Sequence, residues 1–302
     1  MQTPLFSRQQ PGGALSVVNV PEHPGNIFYV DSGATAASDA AGFGYNPDAP
    51  FATIDYAVSA CTASNGDVIY VMPGHAEVVT AAGGLDLDVA GITIIGLGRG
   101  ASMPTVTLTT AATADVDIDA AGVTVQNVKF VAGFADIAAF FDVNADDFSL
   151  IDCVLVASAV DLNAKIWVQD AAAGGSDRIT IQGCYVQDRD AANTHFVNFA
   201  GTGDGHKVVG NVLHVDCGTM AIGGAGVITN CYIADNIVNN AASDVDSCIN
   251  LAATATGSVV RNLCAGAAAQ ANGVTATACL IAENYYGVLA EDLSGILDPI
   301  AT

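Results

Sequence analysis

The stretch FSLIDCVLVA, residues 148–157, carries apolar side chains on either side of an interruption at Asp152 and Cys153. A second stretch, ITIQGCYVQD at residues 179–188, is interrupted in the same way at Gly183 and Cys184. Two strand-like strings separated by a turn residue are typical of a bend rather than of one continuous strand. The two stretches therefore indicate a repeated unit with a corner inside it.

The interrupted string recurs along the chain at a nearly constant spacing of 22 to 31 residues. Its copies are anchored on Ile94, Val125, Leu150, Ile181, Val208, Ile233, Val259 and Ile281. Between the copies lie other short alternating strings, such as LDLDV at 85–89 and DVDID at 115–119. A unit this short cannot bury its apolar face alone, so successive units must stack. We predict an all-β fold, a single-stranded parallel β-helix (solenoid), because a leucine-rich repeat would need regularly spaced Leu that these units lack.

The second position of each interruption is expected to form a column of side chains at the corner. The column begins with Leu97 and Val128 and continues as a structural ladder of Cys153, Cys184, Asn211, Asn236, Asn262 and Asn284. Rungs of a β-helix stack about 4.8 Å apart, so each Asn amide can hydrogen-bond the next. Several cysteines lie inside apolar strings and are predicted to be buried, and the cysteines are predicted to be free thiols.

Both ends of the stack should be capped, because open sheet edges aggregate. We predict an extended arm at residues 1–25 and a β-helix at 26–286. Within the latter, a capping helix at about 51–62 has Ile54, Ala57 and Val58 on one face. Residues 287–302 are either a C-terminal cap or a tail that docks on another subunit.

The composition excludes several classes of function. There are 31 Asp and Glu residues against 8 Lys and Arg, a formal net charge of −23, and the few basic residues are scattered. No basic surface can therefore neutralise nucleic-acid phosphates. The sequence also shows no membrane-spanning stretch, no signal peptide and no CxxC zinc motif, so we expect neither a membrane partner nor secretion.

Two N-terminal strings carry a resemblance to known proteins. PFATIDYAVSACTASNGDVIYVMPGHAEV at 50–78, followed by GITIIGLGRG at 91–100, resembles the start of the pectin-lyase-like superfamily of right-handed β-helices. FYVDSGATAASDAAGFGYNPDAPFATIDYAV at 28–58 resembles the opening of virion-associated β-helix proteins of tailed bacteriophages. The resemblance covers about residues 27–100. It implies a right-handed coil and a place in a phage particle.

The superfamily includes pectin methylesterases, polygalacturonases, pectate lyases and tailspike depolymerases, which need convergent groups on an outer face. The candidate catalytic cluster is Asp170, Asp188, Asp190 and His195, near Arg178 and Arg189. The alternative interpretation is a polar turn. The methylesterase strings Asp-Phe-Ile-Phe-Gly and Gly-Arg-Pro-Trp are missing. Strict alternation predicts that Trp167 points outward, towards a glycan or a neighbouring subunit.

A row of carboxylates is predicted on one outer face. Alternation places Asp86, Asp88, Asp115, Asp117, Asp119 and Asp142 outward. In-register stacking should raise some of their pKa values or recruit a cation, so Ca²⁺ at Asp86, Asp88, Asp117, Asp119 and Asp142 is the one candidate cofactor. The alternative is a solvated acidic face without a metal.

These observations favour a non-enzymatic bacteriophage virion structural protein, a capsid decoration or cement protein on the particle exterior, made in the host cytoplasm. The expected partners are two further copies in a homotrimer and the major capsid protein or another virion protein. The alternative is a tail fibre or tailspike-like protein that binds or depolymerises host-surface polysaccharide as a lyase or glycoside hydrolase. A secreted bacterial adhesin is a third interpretation.

Overall fold

The computed structural model describes residues 25–159, 161–170, 174–242, 248–266 and 273–288, and the backbone of 298–299. The chain winds into a parallel β-solenoid of about eight turns, and each turn adds one strand to each of three sheets. The predicted all-β parallel β-helix is confirmed. The arm at 1–25 lies outside the described residues except for Gly25, as does most of the tail at 287–302, including Leu289, Leu293, Ile296, Leu297 and Ile300.

Sheets one, two and three follow one another around each turn. Sheet one consists of Ile27–Val30, Val68–Val71, Thr93–Gly96, Thr124–Gln126, Ser149–Ile151, Thr180–Gln182, Lys207–Val209, Cys231–Ala234, Gly257–Val260 and Cys279–Ala282. Sheet two consists of Ala76–Val79, Thr105–Leu108, Lys129–Ala132, Val154–Ala157, Tyr185–Asp188, Val212–Val215, Ile237–Asn240, Leu263–Gly266, Tyr285–Val288 and Asp298–Pro299. Sheet three consists of Leu85–Asp86, Val116–Ile118, Phe141–Val143, Ile166–Asp170, His195–Phe199, Ile222–Gly224, Ile249–Leu251 and Val274–Thr275.

Within the three sheets, the strands pair in parallel, except that Asp298–Pro299 pairs antiparallel with Tyr285–Val288. Gly203–Asp204 and Ile228–Thr229 form a separate two-stranded sheet. The eight anchor residues of the repeat are direct neighbours in one column of sheet one, and all but the half-buried Ile281 are fully buried. The sequence period is therefore the length of one turn.

The corner between sheets one and two is a single residue in the left-handed region. Asp152, Gly183 and Asp235 have φ values of 52°, 67° and 58° there. This conformation bends the chain sharply within one residue, and the side chain that follows it lies inside the coil. Cys153 and Cys184 are accordingly buried, and all eight cysteines are free.

The first corner departs from this geometry. Leu97 was predicted to begin the corner column, but it packs outside the coil against Tyr29, Val68 and Tyr70. An eight-residue excursion from Leu97 to Pro104, including the 3₁₀-helix Gly100–Ser102, replaces the one-residue turn. The column therefore starts one rung later, at Val128.

The capping helix spans Ile54–Ser59 and is shorter than the predicted 51–62. The Thr53 hydroxyl accepts a hydrogen bond from the Tyr56 N–H and caps its N-terminus, as Thr commonly does. Ile54, Ala57 and Val58 are buried in the main core cluster. No helix among the described residues has the length and hydropathy needed to cross a bilayer.

The predicted outward orientation of Trp167 is wrong. Trp167 and Val168 are both fully buried, and the register pairs Ile166 with His195 and Val168 with Val197. Sheet three carries β-bulges in this region: the N–H groups of both Phe196 and Val197 donate to the Ala221 carbonyl. A bulge places two successive side chains on one face, so alternation fails at this point in each of several rungs.

Candidate functional site

The four predicted catalytic residues lie on sheets two and three. Asp188 ends the strand Tyr185–Asp188, and Asp190 follows it in the turn towards sheet three. His195 begins the strand His195–Phe199, whereas Asp170 ends the preceding rung's strand, Ile166–Asp170. His195 and Asp170 lie at opposite ends of two neighbouring strands of sheet three, because His195 pairs with Ile166 and Asp170 pairs with Phe199.

Asp188 is fully buried and serves the interior of the coil. Its Oδ2 accepts hydrogen bonds from the Trp167 indole Nε1, at 3.0 Å, and from the Ala164 N–H, at 3.2 Å. Burial raises the pKa of Asp188 to about 6, and these hydrogen bonds only partly oppose that rise. The carboxylate therefore explains why Trp167 points inward: it is the partner for an indole N–H that would otherwise be buried unpaired.

Asp190 and His195 are half-buried and do not form a proton-transfer pair with each other. Asp190 accepts hydrogen bonds from the Asp161 N–H, at 2.9 Å, and the Ala192 N–H, at 2.8 Å, so it fixes two turns. Burial lowers the pKa of His195 to about 4, which leaves the ring neutral at pH 7. Arg189 is exposed.

Asp170 is fully buried at the other end of sheet three. Its Oδ1 accepts a hydrogen bond of 2.9 Å from the Ser176 N–H and closes the loop that leads back to sheet one. Three residues of extended strand, about 10 Å, separate it from Trp167, which touches Asp188. The structure thus brings Asp188 and Asp190 together and leaves Asp170 apart from them.

The predicted carboxylates do line the outer face of sheet three. Asp86 pairs in register with Asp117, and Asp117 pairs with Asp142. These three half-buried residues form what we call the carboxylate row. The predicted residues Asp88, Asp115 and Asp119 flank it, and Asp88 and Asp119 are exposed.

The pKa values in the row are raised, as stacking of like charges requires. The pKa of Asp117 is raised to about 6, first by burial and then by Asp115, Asp119, Asp142 and Asp86. Burial and neighbouring carboxylates also raise the pKa values of Asp86 and Asp142. Carboxylates only accept hydrogen bonds, so they cannot satisfy one another unless a proton or a cation lies between them.

Beyond Asp142 the row changes to amides. Asp142 pairs with Gln169, and Gln169 pairs with Asn198, whose Nδ2 donates to the Gln169 Oε1 at 2.9 Å. Across the part of the chain that the structure describes, no three His, Cys, Asp or Glu side chains converge as metal ligands would. The predicted calcium ligands are therefore spread along the outer face and do not surround one point. They are the carboxylate row, Asp86, Asp117 and Asp142, and the flanking Asp88 and Asp119.

The corner column contains the asparagine ladder, which consists of Asn211, Asn236, Asn262 and Asn284. The Asn236 Oδ1 accepts from both the backbone N–H and the Nδ2 of Asn211, at 3.0 and 2.9 Å. The Asn236 Nδ2 donates to the Val208 carbonyl, at 2.8 Å, and to the Asn262 Oδ1, at 2.9 Å. The Cys153 thiol reaches the Val125 carbonyl, at 3.7 Å, and so replaces this contact weakly in an earlier rung.

His75 and Glu77, from the PGHAE string, hold the N-terminal cap. The His75 Nδ1 accepts from the Ser32 N–H, at 3.0 Å, so Nε2 carries the proton and donates to the Glu77 Oε2, at 3.1 Å. The same Oε2 accepts from the Ile54 N–H at the start of the helix, at 2.9 Å. This buried pair joins the loop before the helix, the helix and the first turn.

Sequence reasoning missed one surface, the outer face of sheet two. The residue that follows each corner position is apolar in six consecutive rungs: Val154, Tyr185, Val212, Ile237, Leu263 and Tyr285. These residues are neighbours in one outward column. The signal was present in the repeat alignment, one position beyond the corner.

Comparisons with known proteins agree with the fold. Neither a protein-family model nor a curated protein matches the chain. A solved structure titled rhamnogalacturonan lyase is similar with a TM-score of 0.53 and 15% identity, covering 80% of this chain and 70% of that one. At this identity the similarity shows the β-helix fold alone.

Two further solved structures show lower similarity. The GH136 lacto-N-biosidase from Eubacterium ramulus has a TM-score of 0.40 and 10% identity, covering 87% of this chain and 68% of that one. ORF18 of Geobacillus virus E2 has a TM-score of 0.34 and 13% identity, covering 87% of this chain and 62% of that one.

Proposed function

We propose that this chain is a non-enzymatic structural protein of a tailed-bacteriophage particle. Its specific role is a decoration or cement protein on the head exterior, present as a homotrimer that contacts the major capsid protein or another virion protein. The resemblance of residues 27–100 to virion-associated β-helix proteins supports the phage setting. The observation that carries the non-enzymatic assignment is how the candidate catalytic carboxylates are used.

Each of these carboxylates already accepts hydrogen bonds from groups within the coil. Asp188 accepts from the Trp167 indole, Asp190 from two backbone N–H groups, and Asp170 from the Ser176 N–H. A general acid or base must reach a substrate proton, and both Asp170 and Asp188 are fully buried. The acidic exterior also favours contact with other proteins over contact with packaged DNA.

The test is to locate the protein in purified particles of the phage that encodes it. Mass spectrometry should find the chain at a stoichiometry of many copies per particle, and gold-labelled antibodies should mark the head. Absence from purified particles would overturn the proposal. Labelling confined to the tail would replace the decoration role with the spike role.

One observation favours the second candidate function, a tail fibre or spike that binds or cleaves host-surface polysaccharide. Asp117, with a pKa of about 6, lies beside Asp142 on an outer face. In retaining glycosidases, two carboxyl groups about 5 Å apart act as the acid/base and the nucleophile, and the acid/base has a raised pKa.

The enzyme test uses host capsule and pectin as substrates and measures new reducing ends and unsaturated products. Asp117→Asn is compared with Asp48→Asn, a matched change at an exposed carboxylate away from the row. Products that disappear only in Asp117→Asn would establish the second function. No products from the unmodified chain are expected under the first.

A further inference from the structure

The outer face of sheet two bears two adjacent columns of uncharged residues over six rungs, which we call the apolar stripe. The first column consists of Val154, Tyr185, Val212, Ile237, Leu263 and Tyr285, and the second of Val156, Gln187, His214, Asn239, Ala265 and Gly287. No member of either column is Asp, Glu, Lys or Arg. No function described above uses this surface.

The stripe gathers exposed apolar side chains that a soluble protein usually scatters. Tyr185, Ile237, Leu263 and Tyr285 are 38%, 45%, 36% and 44% exposed, and they make up half of the large exposed apolar residues in the described part of the chain. The Tyr185 ring packs edge-on against His214, with ring centroids 5.8 Å apart. Tyr185 is thus packed against its neighbour on the stripe but remains partly exposed.

The charge of the molecule disfavours self-association through sheet three. The chain has a formal net charge of −23, and sheet three carries the carboxylate row on its outer face. A second copy that approached through sheet three would place carboxylates against carboxylates, which is unfavourable by several kcal/mol for close like charges. Sheet two offers an approach without that repulsion.

We propose that a second copy of this chain packs side by side against the apolar stripe. This contact would be the surface through which the copies of the proposed homotrimer associate, and the inference rests on that proposed function. The stripe repeats at the rung spacing of about 4.8 Å, so another copy presents the same period and its side chains can interdigitate at every rung. An unrelated globular surface has no such period.

The area of the stripe is consistent with an interface that extends around the corner. Six rungs of four-residue strands cover about 400 Å², whereas a standard interface buries about 800 Å² per partner. The adjoining outer face of sheet one, including Thr180, Val209, Tyr232 and Leu280, has one charged residue in these rungs, Lys207. On the ridge between the two faces Arg261 pairs with Asp235, at 2.7 Å.

Sedimentation velocity of the full chain tests the proposal with the double variant Ile237→Asp, Leu263→Asp. The unmodified protein should sediment as a multiple of its 30.4 kDa monomer mass, with association strengthened by added salt as the acidic repulsion is screened. The variant should sediment at 30.4 kDa. We expect its dissociation constant to rise by about a hundredfold or more, because buried unpaired carboxylates are costly.

The matched control is Val78→Asp, an exposed apolar outward position at the N-terminal end of sheet two and outside the stripe. It should associate as the unmodified chain does. A second arm mixes the Asp variant with Ile237→Lys, Leu263→Lys. Each should be monomeric alone and the mixture should reassociate, because the opposite charges then face each other across copies.

The proposal would be overturned by a monomeric unmodified chain, by an associated double-Asp variant, or by dissociation of Val78→Asp to the same extent. A chain that becomes associated only after removal of residues 1–24 or 289–302 would show that its own terminus covers the stripe, which also overturns it. Particle analysis reports on the proposed function separately. A chain found in virions but insensitive to the stripe variants leaves that function in place.

Discussion

The carboxylate row on sheet three and the asparagine ladder at the corner are both columns of like polar side chains at one rung spacing. In the ladder, each Oδ1 accepts from the rung before, and the Nδ2 of every member except the last, Asn284, donates to the rung after, as at Asn236. In the row, Asp86, Asp117 and Asp142 have only acceptors to present to one another. The ladder is fully buried, whereas the row stays at the surface with raised pKa values.

The difference shows which polar groups a solenoid can stack. An amide carries a donor and an acceptor and is satisfied by a copy of itself, so repetition solves the problem of burying it. A carboxylate needs donors from elsewhere. Asp188 is intermediate, since it is buried alone and takes its donors from Trp167 and Ala164.

The largest expected effect comes from breaking the ladder at Asn236→Ala. The change removes the side-chain bonds to Asn211, Val208 and Asn262 and leaves buried polar groups without partners. We expect the free energy of unfolding to fall by about 3–5 kcal/mol, measured by chemical denaturation. Asn250→Ala, a half-exposed amide on sheet three, is the control and should cost less than about 1 kcal/mol. Equal losses in the two variants would contradict the account.

The next effect tests the lone carboxylate through Trp167→Phe. The change removes the indole donor to Asp188, which matters most while Asp188 is ionised. At pH 7.5 the variant should lose about 2 kcal/mol more than at pH 5, because hydrogen bonds to charged groups are worth about 1.5–3 kcal/mol. The difference between the two pH values removes the packing loss common to both. A loss independent of pH would mean that the indole contributes by packing alone.

A smaller effect tests the row by pH. The pKa of Asp117 is about 6 in the folded chain and lies above the ordinary value of 3.8, so the folded state binds this proton more tightly than the unfolded state does. Stability from this group is therefore present at low pH and is lost as the pH rises through about 6. Relative to the unmodified chain, Asp117→Asn should be more stable by about 1 kcal/mol at pH 7.5, after allowance for solvent screening.

The advantage of Asp117→Asn should shrink as the pH falls and vanish below about pH 3, well under the ordinary value of 3.8, where the carboxyl is protonated in both states. Denaturation curves at the two pH values give the comparison. Asp48→Asn, at an exposed carboxylate outside the row, should show little change at either pH. An Asp117→Asn variant that is less stable than the unmodified chain at pH 7.5 would show that the row is favourable as it stands.

The smallest effect is that of divalent cations. Millimolar Ca²⁺ should raise the melting temperature by about 1–2 °C at pH 7.5 through screening of the row, since a few tenths of a kcal/mol suffice for that. Mg²⁺ should act equally, because no three ligands converge among the described side chains. A large shift with Ca²⁺ alone would instead indicate a specific site.

The sequence predicted the rung, the corner and the carboxylate row because each depends on a period that the chain repeats. The strand anchors and the outward Asp86, Asp117 and Asp142 follow from spacing and alternation alone. Trp167 was mispredicted because a bulge, which has no signature in alternation, turns two neighbours inward. Leu97 was mispredicted because its corner contains an excursion that the repeat does not show.

The candidate catalytic cluster was predicted from proximity in sequence. In a coil, residues that are near in sequence can lie on different sheets and far apart in space. Asp188 and Asp190 are close in both, whereas Asp170 lies at the far end of sheet three. Hydrogen-bond partners such as the Trp167 indole come from another rung and could not be read from the string YVQDRD. The apolar stripe was readable from the repeat but only after the corner had been placed in each rung.

Stacked amides stabilise this coil whereas stacked carboxylates oppose its folding, and two mirror-image substitutions separate these effects. We predict that Asn236→Asp lowers the free energy of unfolding at pH 7.5 by several kcal/mol, since a buried carboxylate replaces the Nδ2 donor to Val208 and Asn262. Asp117→Asn should raise it. A tolerated Asn236→Asp, or changes of the same sign in the two variants, would contradict the claim.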